Sequence, residues 1–448
     1  MEHKRSLSRR TFLKSAIPAL AAFQFVPRHV VAGSGETPPS EKVNTAFVGI
    51  GGRGWASIEG LRSENFVAFC EVDLQRGEQA LRTFPDVKVY RDYRKMLDEK
   101  DKEIDAVAVC TPDHTHAVIA MDAIRRGKHV YCEKPLAHSI YEIRSLMKAA
   151  CEHKVVTQLG NQGHSFGDIR KFCEWVWDGA IGNVHTIHAA CSAVHCKIDQ
   201  LPKMQEHPPV PDTLEWDLWL GPAANRPYNP MYLPGSWRGW SAFGSGTIGD
   251  WICHVVDPVF WALDLGAPST VKTDVEDYDP EKHSETFAAA SRVTFTFPEK
   301  GSRGPVTLYW YSGHARIPRP EGLEDGQEVP ETGAVVLGDR GGIKYGSHGA
   351  GGLRIFPEEK MRAYKQPEPT IPRVAGHHQD FLEAIRNNRP AGSNFDYGGP
   401  LTELARLGII GMQFPGQTLE WDGPNMRFTN VPDANRLIHP ACRSGWAL

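Results

Sequence analysis

The chain has 448 residues, 41% of them hydrophobic and 23% charged, which is ordinary for a globular protein and sufficient for two or three domains with sizeable cores. The formal net charge is −4 and no long basic run occurs, which argues against nucleic acid as a partner. No repeat or low-complexity tract is evident.

The N-terminus differs in kind from the rest. Ser8-Arg9-Arg10-Thr11-Phe12-Leu13-Lys14 is a close match to a twin-arginine export signal. An apolar stretch over 16–26, broken by Pro18, and a small-residue site at Val30-Val31-Ala32 follow it. The stretch is too short to span a bilayer comfortably, so a processed signal over 1–32 is expected instead of a membrane anchor. Its removal takes away six basic residues and one acidic one, leaving −9. The expected location is periplasmic or secreted, reached in the folded state through the twin-arginine translocase. Residues 33–41 read as a flexible linker.

From 42 to 160 short apolar runs alternate with helical stretches. Strand candidates are 45–49, 66–71, 106–110, 129–132 and 155–159, with helices over 77–83, 116–126 and 140–153. This alternation predicts a doubly wound parallel sheet, a dinucleotide-binding Rossmann domain. After Gly160 the texture changes: strands at 184–190, 287–297 and 306–311 are separated by loops rich in Pro, Gly and Trp, and helical patterns cover 376–389 and 400–412. Residues 161–448 therefore read as an α+β domain for substrate and oligomerisation with a largely antiparallel, open-faced sheet. Its C-terminal segment is a candidate to return to the first domain. The nine cysteines form no Cys-x-x-Cys pair, and no structurally necessary disulfide is expected.

The first chemical signal is Gly49-Ile50-Gly51-Gly52-Arg53-Gly54, between a strand and a helix. The first glycine of such a run makes a tight turn, the second admits a pyrophosphate, and the third lets helix pack on strand. Asp73, about 20 residues on, is placed to accept hydrogen bonds from an adenosine ribose and to repel a 2′-phosphate, so NAD is expected over NADP. Thr111-Pro112 with His116, and Glu133-Lys134-Pro135, each follow a strand at the carboxyl edge where ligands bind in open α/β sheets. Asp250 and His254 stand at i and i+4 of a helix, with Asp257 at i+7 on the same face. A carboxylate beside a histidine can fix its tautomer for acid–base work. These residues lack further His or Cys ligands nearby, so no metal is expected. Six tryptophans (Trp216, Trp219, Trp237, Trp240, Trp251, Trp261) flank this helix, where they suit either sugar faces or loop packing.

Together these stretches resemble the glucose–fructose oxidoreductase/inositol dehydrogenase (Gfo/Idh/MocA) family, from Val43 to the Asn435-Arg436-Leu437 and Arg443-Ser444-Gly445-Trp446 elements. The resemblance implies that Lys134 contacts cofactor and substrate. It makes His254 the general base, supported by Asp250, and puts Asn161 and Gln162 near the nicotinamide. His164, Arg238 and Trp240 join Lys134, Asp250 and His254 as expected substrate contacts. The activity it implies is hydride transfer between NAD and a sugar, polyol or glycoside by a homo-oligomeric enzyme. Export points to a tightly bound, recycled cofactor. Two alternatives stay open: redox-neutral NAD-dependent glycoside hydrolysis, and a non-catalytic sugar or cofactor sensor.

Overall fold

The computed structural model describes residues 41–448; the expected export signal over 1–32 and almost all of the expected linker lie outside the described residues. Six strands form the first sheet: β1 (Asn44–Val48), β2 (Asn65–Cys70), β3 (Lys88–Tyr90), β4 (Ala106–Val109), β5 (His129–Cys132) and β6 (Thr157–Leu159). All pair in parallel, in the order β3-β2-β1-β4-β5-β6. β4 is buried along its whole length, as a strand covered by helices on both faces must be, and so it reads as a continuous apolar run. The strand order reverses between β1 and β4, which opens a crevice at their carboxyl ends. Beside it stand α1 (Arg53–Gly60), α2 (Asp113–Arg125) and α3 (Ile140–His153).

The strands expected from sequence in this domain match the observed ones to within two residues. Two elements escaped notice. β3 is a three-residue edge strand with two exposed positions, and the helix Tyr93–Lys100 is strongly polar. Neither carries enough apolar signal to be seen.

The second sheet has nine strands: β7 (Val184–Cys191), β8 (Thr270–Glu276), β9 (Ala290–Phe297), β10 (Val306–Gly313), β11 (Gly333–Gly338), β12 (Gly341–Gly346), β13 (Arg354–Phe356), β14 (Thr418–Asp422) and β15 (Arg427–Phe428). Their order is β13-β12-β11-β7-β10-β9-β8-β14-β15, and only β7 and β10 pair in parallel. The fold class read from the sequence is therefore the observed one. Val293, Phe295 and Phe297 alternate into the core from β9, where they join Ile248 and Ile252 of α4 (Gly246–Val255) and Val259 of α5 (Asp257–Ala262).

Two late helices join the halves. α6 (His377–Arg386) places Phe381, Leu382 and Ala384 in one core with Phe47, Ile58 and Tyr131 of the first domain. α7 (Phe395–Gly411) runs between α3 and α4: Gly399 lies against Met147 and Gly408 against Ile248. Arg144 of α3 grips Glu403 of α7 through bonds of 2.5 and 2.8 Å. The sequence suggested a start at Pro400, but the Asn394 side chain accepts from the N–H groups of Asp396 and Tyr397 and sets the start earlier, leaving Pro400 inside the helix. All nine cysteines are free thiols. Among the described residues no helix is long and apolar enough to cross a membrane.

Candidate active site

The crevice begins at the glycine loop. Gly49 turns the chain with φ 81°, and its N–H donates to the Cys70 carbonyl of β2 at 2.9 Å. Gly52 (φ 53°) precedes α1, which has no side-chain cap, so first-turn N–H groups remain for an anion. A Cβ on Gly51 would stand 2.5 Å from the Arg76 carbonyl oxygen, and one on Gly54 2.1 Å from that of Gly49. The loop closes only without side chains there.

Ile50 is buried, and its N–H donates to Glu71 Oε2 at 3.1 Å, while the Asp73 N–H donates to Glu71 Oε1 at 3.0 Å. Glu71, the residue directly after β2, thus joins the loop to the strand end. Burial pushes its carboxyl up despite those two donors. Sequence alone does not single it out, because Asp73, two residues on, has the more familiar spacing.

A cavity of about 750 Å³ runs from this loop past Asp73, Thr111, Pro112 and Glu133 to Lys134. Its facing wall comes from the second domain, through Thr213, Leu214, Tyr228, Trp237 and Arg238. Arg53 reaches across it: Nε donates to Glu133 Oε1 at 2.9 Å, and Nη2 to Gln162 Oε1 at 3.2 Å. The glycine cradle, uncapped helix, strand-end acids and length of trough fit a dinucleotide.

Beyond Glu133 the character changes from backbone to charge. Lys134 Nζ donates to Asp250 Oδ1 at 2.6 Å and to the Asp250 carbonyl at 2.9 Å. Arg238 Nε donates to the same Oδ1 at 3.1 Å, and His195 Nε2 lies 3.0 Å from Oδ2. Burial alone would raise the Asp250 carboxyl, but Lys134, His195 and Arg238 hold it well below the usual carboxylate range.

The expected Asp250–His254 pair therefore does not form. The two residues share a helix, but Lys134, Arg238 and His195 occupy both oxygens of Asp250. His254 is buried, its ring stacks on His348 at 4.1 Å, and its Nδ1 has no partner among the described residues. Burial, then the nearby Lys134 and His348, push its pKa well below the ordinary histidine value. His195, just past β7, holds Asp250 instead. It lies 55 residues from Asp250, so no local spacing announces it.

Several other expectations need correction. Asp257 does not share the Asp250 face, because α4 ends at Val255 and Asp257 opens α5. It anchors a buried cluster in which Asn161 Nδ2 donates to it at 3.0 Å, His164 Nδ1 lies 3.0 Å away, and the Tyr397 hydroxyl donates at 2.5 Å. His164 also stacks on Trp261 at 4.5 Å, so it is not a substrate contact in this arrangement. Asn161 is equally occupied, since its Oδ1 accepts from Ser393 at 2.6 Å. Neither lines the cavity. Trp240 is 1% exposed and donates from Nε1 to the Met231 carbonyl at 3.0 Å, which leaves no ring face for a sugar. His116 is buried with each ring nitrogen 2.8 Å from a carbonyl oxygen, those of Pro135 and Thr111. It ties the ends of β4 and β5 together instead of touching a cofactor. Among the described residues, no three His, Cys, Asp or Glu side chains are grouped to hold a metal ion.

Comparison with known proteins adds identity to geometry. Two models of one family match the chain: "Oxidoreductase family, NAD-binding Rossmann fold" over residues 43–161, and "Oxidoreductase family, C-terminal alpha/beta domain" over 190–303, together just over half of it. Levoglucosan dehydrogenase of Pseudarthrobacter phenanthrenivorans is 25% identical over 239 residues, 53% of this chain and 52% of that protein. Glycosyl hydrolase family 109 protein 2 of Akkermansia muciniphila is 28% identical over 188 residues, 38% of this chain and 37% of that one. The chain thus spans about half or less of the length of these curated relatives. Among solved structures, the WlbA dehydrogenase of Bordetella pertussis, in complex with NADH and UDP-GlcNAcA, superposes with a TM-score of 0.61. That match covers 85% of this chain and 99% of that one at 15% identity, a likeness of fold.

Proposed function

We propose that this chain, which belongs to the Gfo/Idh/MocA oxidoreductase family, uses NAD to oxidise a hydroxyl of a sugar, polyol or glycoside. The observation that carries this reading is the Lys134–Asp250 pair, 2.6 Å apart where the dinucleotide trough meets the second domain. NAD bound there supplies a hydride acceptor for the carbinol carbon.

The chain's own groups do the rest. Lys134 spends two bonds on Asp250 and has a third ammonium hydrogen for a substrate oxygen, which favours the alkoxide character that develops as hydride leaves. Asp250 keeps that ammonium aimed. His254, held neutral by burial with an unpartnered Nδ1, is suited to accept the hydroxyl proton. Asp73 and Glu71 disfavour a 2′-phosphate, so NAD is the cofactor over NADP. The levoglucosan dehydrogenase relative supports a carbohydrate substrate.

The test is a panel of levoglucosan, myo-inositol and free aldoses with NAD, read by the absorbance of reduced nicotinamide. A substrate that reduces NAD with the parent chain and not with Lys134→Met supports the reading; no turnover on any carbohydrate overturns it.

The glycosyl hydrolase family 109 relative favours a second reading. In it a glycoside hydroxyl would be oxidised transiently, the aglycone would leave as the neighbouring carbon loses a proton, water would add in its place, and reduction would restore the hydroxyl. Release of nitrophenol from an aryl glycoside without net NAD reduction separates this from the first. In either reading the enzyme acts as a homo-oligomer outside the cytoplasm, after twin-arginine export, and retains its cofactor. Cell fractionation of the tagged protein with and without Arg9-Arg10 tests the location.

A further inference from the structure

We propose that residues 211–237 form a clip over the adenosine half of the groove, and that this clip sets how long NAD stays bound. The inference rests on the reading of the groove as a dinucleotide site.

The adenosine end is fixed by β2, whose last residue is followed by Glu71 and Asp73. There Val72, Asp73 and Leu74 do not run free into solvent. They pair antiparallel with the second domain through a bridge between Asp73 and Leu214. Leu74 N–H donates to the Thr213 carbonyl at 3.3 Å, and Glu215 N–H to the Val72 carbonyl at 2.9 Å. Arg91, one residue past β3, locks both sides: its Nη2 donates to the Val72 carbonyl at 2.6 Å and the Thr213 carbonyl at 2.7 Å. Arg91 does not line the groove, so its function there is to hold the wall and not the ligand.

The clip has its own core. Trp216 stacks on Trp219 at 5.0 Å and on Tyr232 at 6.0 Å, and its Nε1 donates to the Arg226 carbonyl at 3.0 Å. Leu214, Trp219, Tyr232, Trp240 and Phe243 are buried together, with Val72 of the first domain packed against them. This explains the density of tryptophan in the region: the rings make a roof. Tyr228 stands edge-on to Trp216 at 5.4 Å and lines the groove together with Asp73 and Leu214, presenting an aromatic wall to it.

An adenosine in this groove has the first sheet beneath it and the second domain above. It leaves only when the clip opens, which breaks two main-chain bonds and the double hold of Arg91. Charge-assisted bonds to carbonyls are among the stronger local ties, so their loss appears chiefly in the dissociation rate.

The experiment displaces NADH from the full chain with excess NAD and follows nicotinamide fluorescence. Two variants are compared with the parent. Arg91→Ala removes the lock. Glu215→Pro removes a main-chain donor, at a φ of −85° close to proline's range, and with it the carboxylate 3.8 Å from Arg91 Nη2, so Glu215→Gln serves as the control for the side chain. Arg91→Ala and Glu215→Pro are expected to release NADH about tenfold or more faster, with circular dichroism unchanged and Arg91→Lys intermediate. Folded variants that release NADH at the parent's rate overturn the clip while leaving the dinucleotide site intact. Failure of the parent itself to bind NADH or NAD overturns both the clip and the reading beneath it.

Discussion

At the glycine-loop end of the cleft, six consecutive residues, Gly49 to Gly54, and the end of one neighbouring strand build the site out of backbone. At the Lys134 end, three side chains from three separated segments converge on the single carboxylate of Asp250. The first arrangement depends on close approach: its requirement is the absence of atoms, as the 2.1 Å contact awaiting a Cβ on Gly54 demonstrates. The second depends on charge balance, since the half-buried Asp250 carboxylate is held by the cations and the histidine around it. One end recognises what every dinucleotide shares. The other holds the groups that decide what reacts.

If that division is right, the two ends separate under mutation. The largest effect is expected for Lys134→Met, a fall in turnover of about 10²–10³-fold with NADH affinity nearly unchanged, measured by steady-state rates and fluorescence titration on the same preparation. Equal loss of both would mean that the ends are not independent. Gly54→Val is the mirror case. Weakening of NADH binding by about 10- to 100-fold is expected from the forced shift of the loop, checked by the same titration.

A finer test concerns the two histidines. His195→Ala removes a donor from Asp250, so the acid limb of the pH–rate profile should move to higher pH, with a rate loss of about tenfold. His254→Ala removes the proposed proton acceptor, so it should lower the rate and flatten the acid limb instead of displacing it. A His195→Ala profile with the parent's limb would break the link between His195 and the Asp250 carboxylate.

A further expected effect is on stability, and it belongs to the cofactor end. Burial lowers the pKa of His377 to about 3 and those of His378 and His114 to about 4. Between the unfolded value near 6.5 and these folded values, the unfolded chain binds protons that the folded chain refuses. Stability is therefore complete above about pH 6.5 and falls on acidification by about 1.4 kcal/mol per pH unit for each such group, levelling near pH 4 for His378 and His114 and near pH 3 for His377. Urea midpoints at pH 7 and pH 5 measure the slope. His378→Phe, which keeps a ring against Tyr131, should make it shallower.

Legibility in the sequence followed the same division. The glycine loop and strands β1, β2, β4 and β5 could be read because their signals are contiguous: a motif in six residues, or an apolar run buried by helices. Lys134 could be read because it closes one of those strands. His195 could not, since its partner is 55 residues away and only the packing of β7 beside α4 brings them together. The Asp250/His254 spacing was a true statement about one helix face but carried no information about which third residue would reach the carboxylate first. Trp240 and His164 misled for a related reason. Residue type suggested a ligand, whereas burial had already assigned each ring a neighbour from its own chain.

The core shared by α6 and the first sheet also bears on how the molecule is made. Phe47 and Tyr131 belong to the opening third of the described chain, yet they are sealed by Phe381, Leu382, Ala384 and Ala391. On the ribosome, then, the nucleotide-binding half cannot mature as it emerges. Its floor stays open until α6 and Ala391 have been synthesised, by which time strands β7 to β13 of the second sheet are already in existence. A fragment stopping near residue 160 would be a sheet lacking one of its lids, and cofactor capture would come as one of the final events in the protein's synthesis.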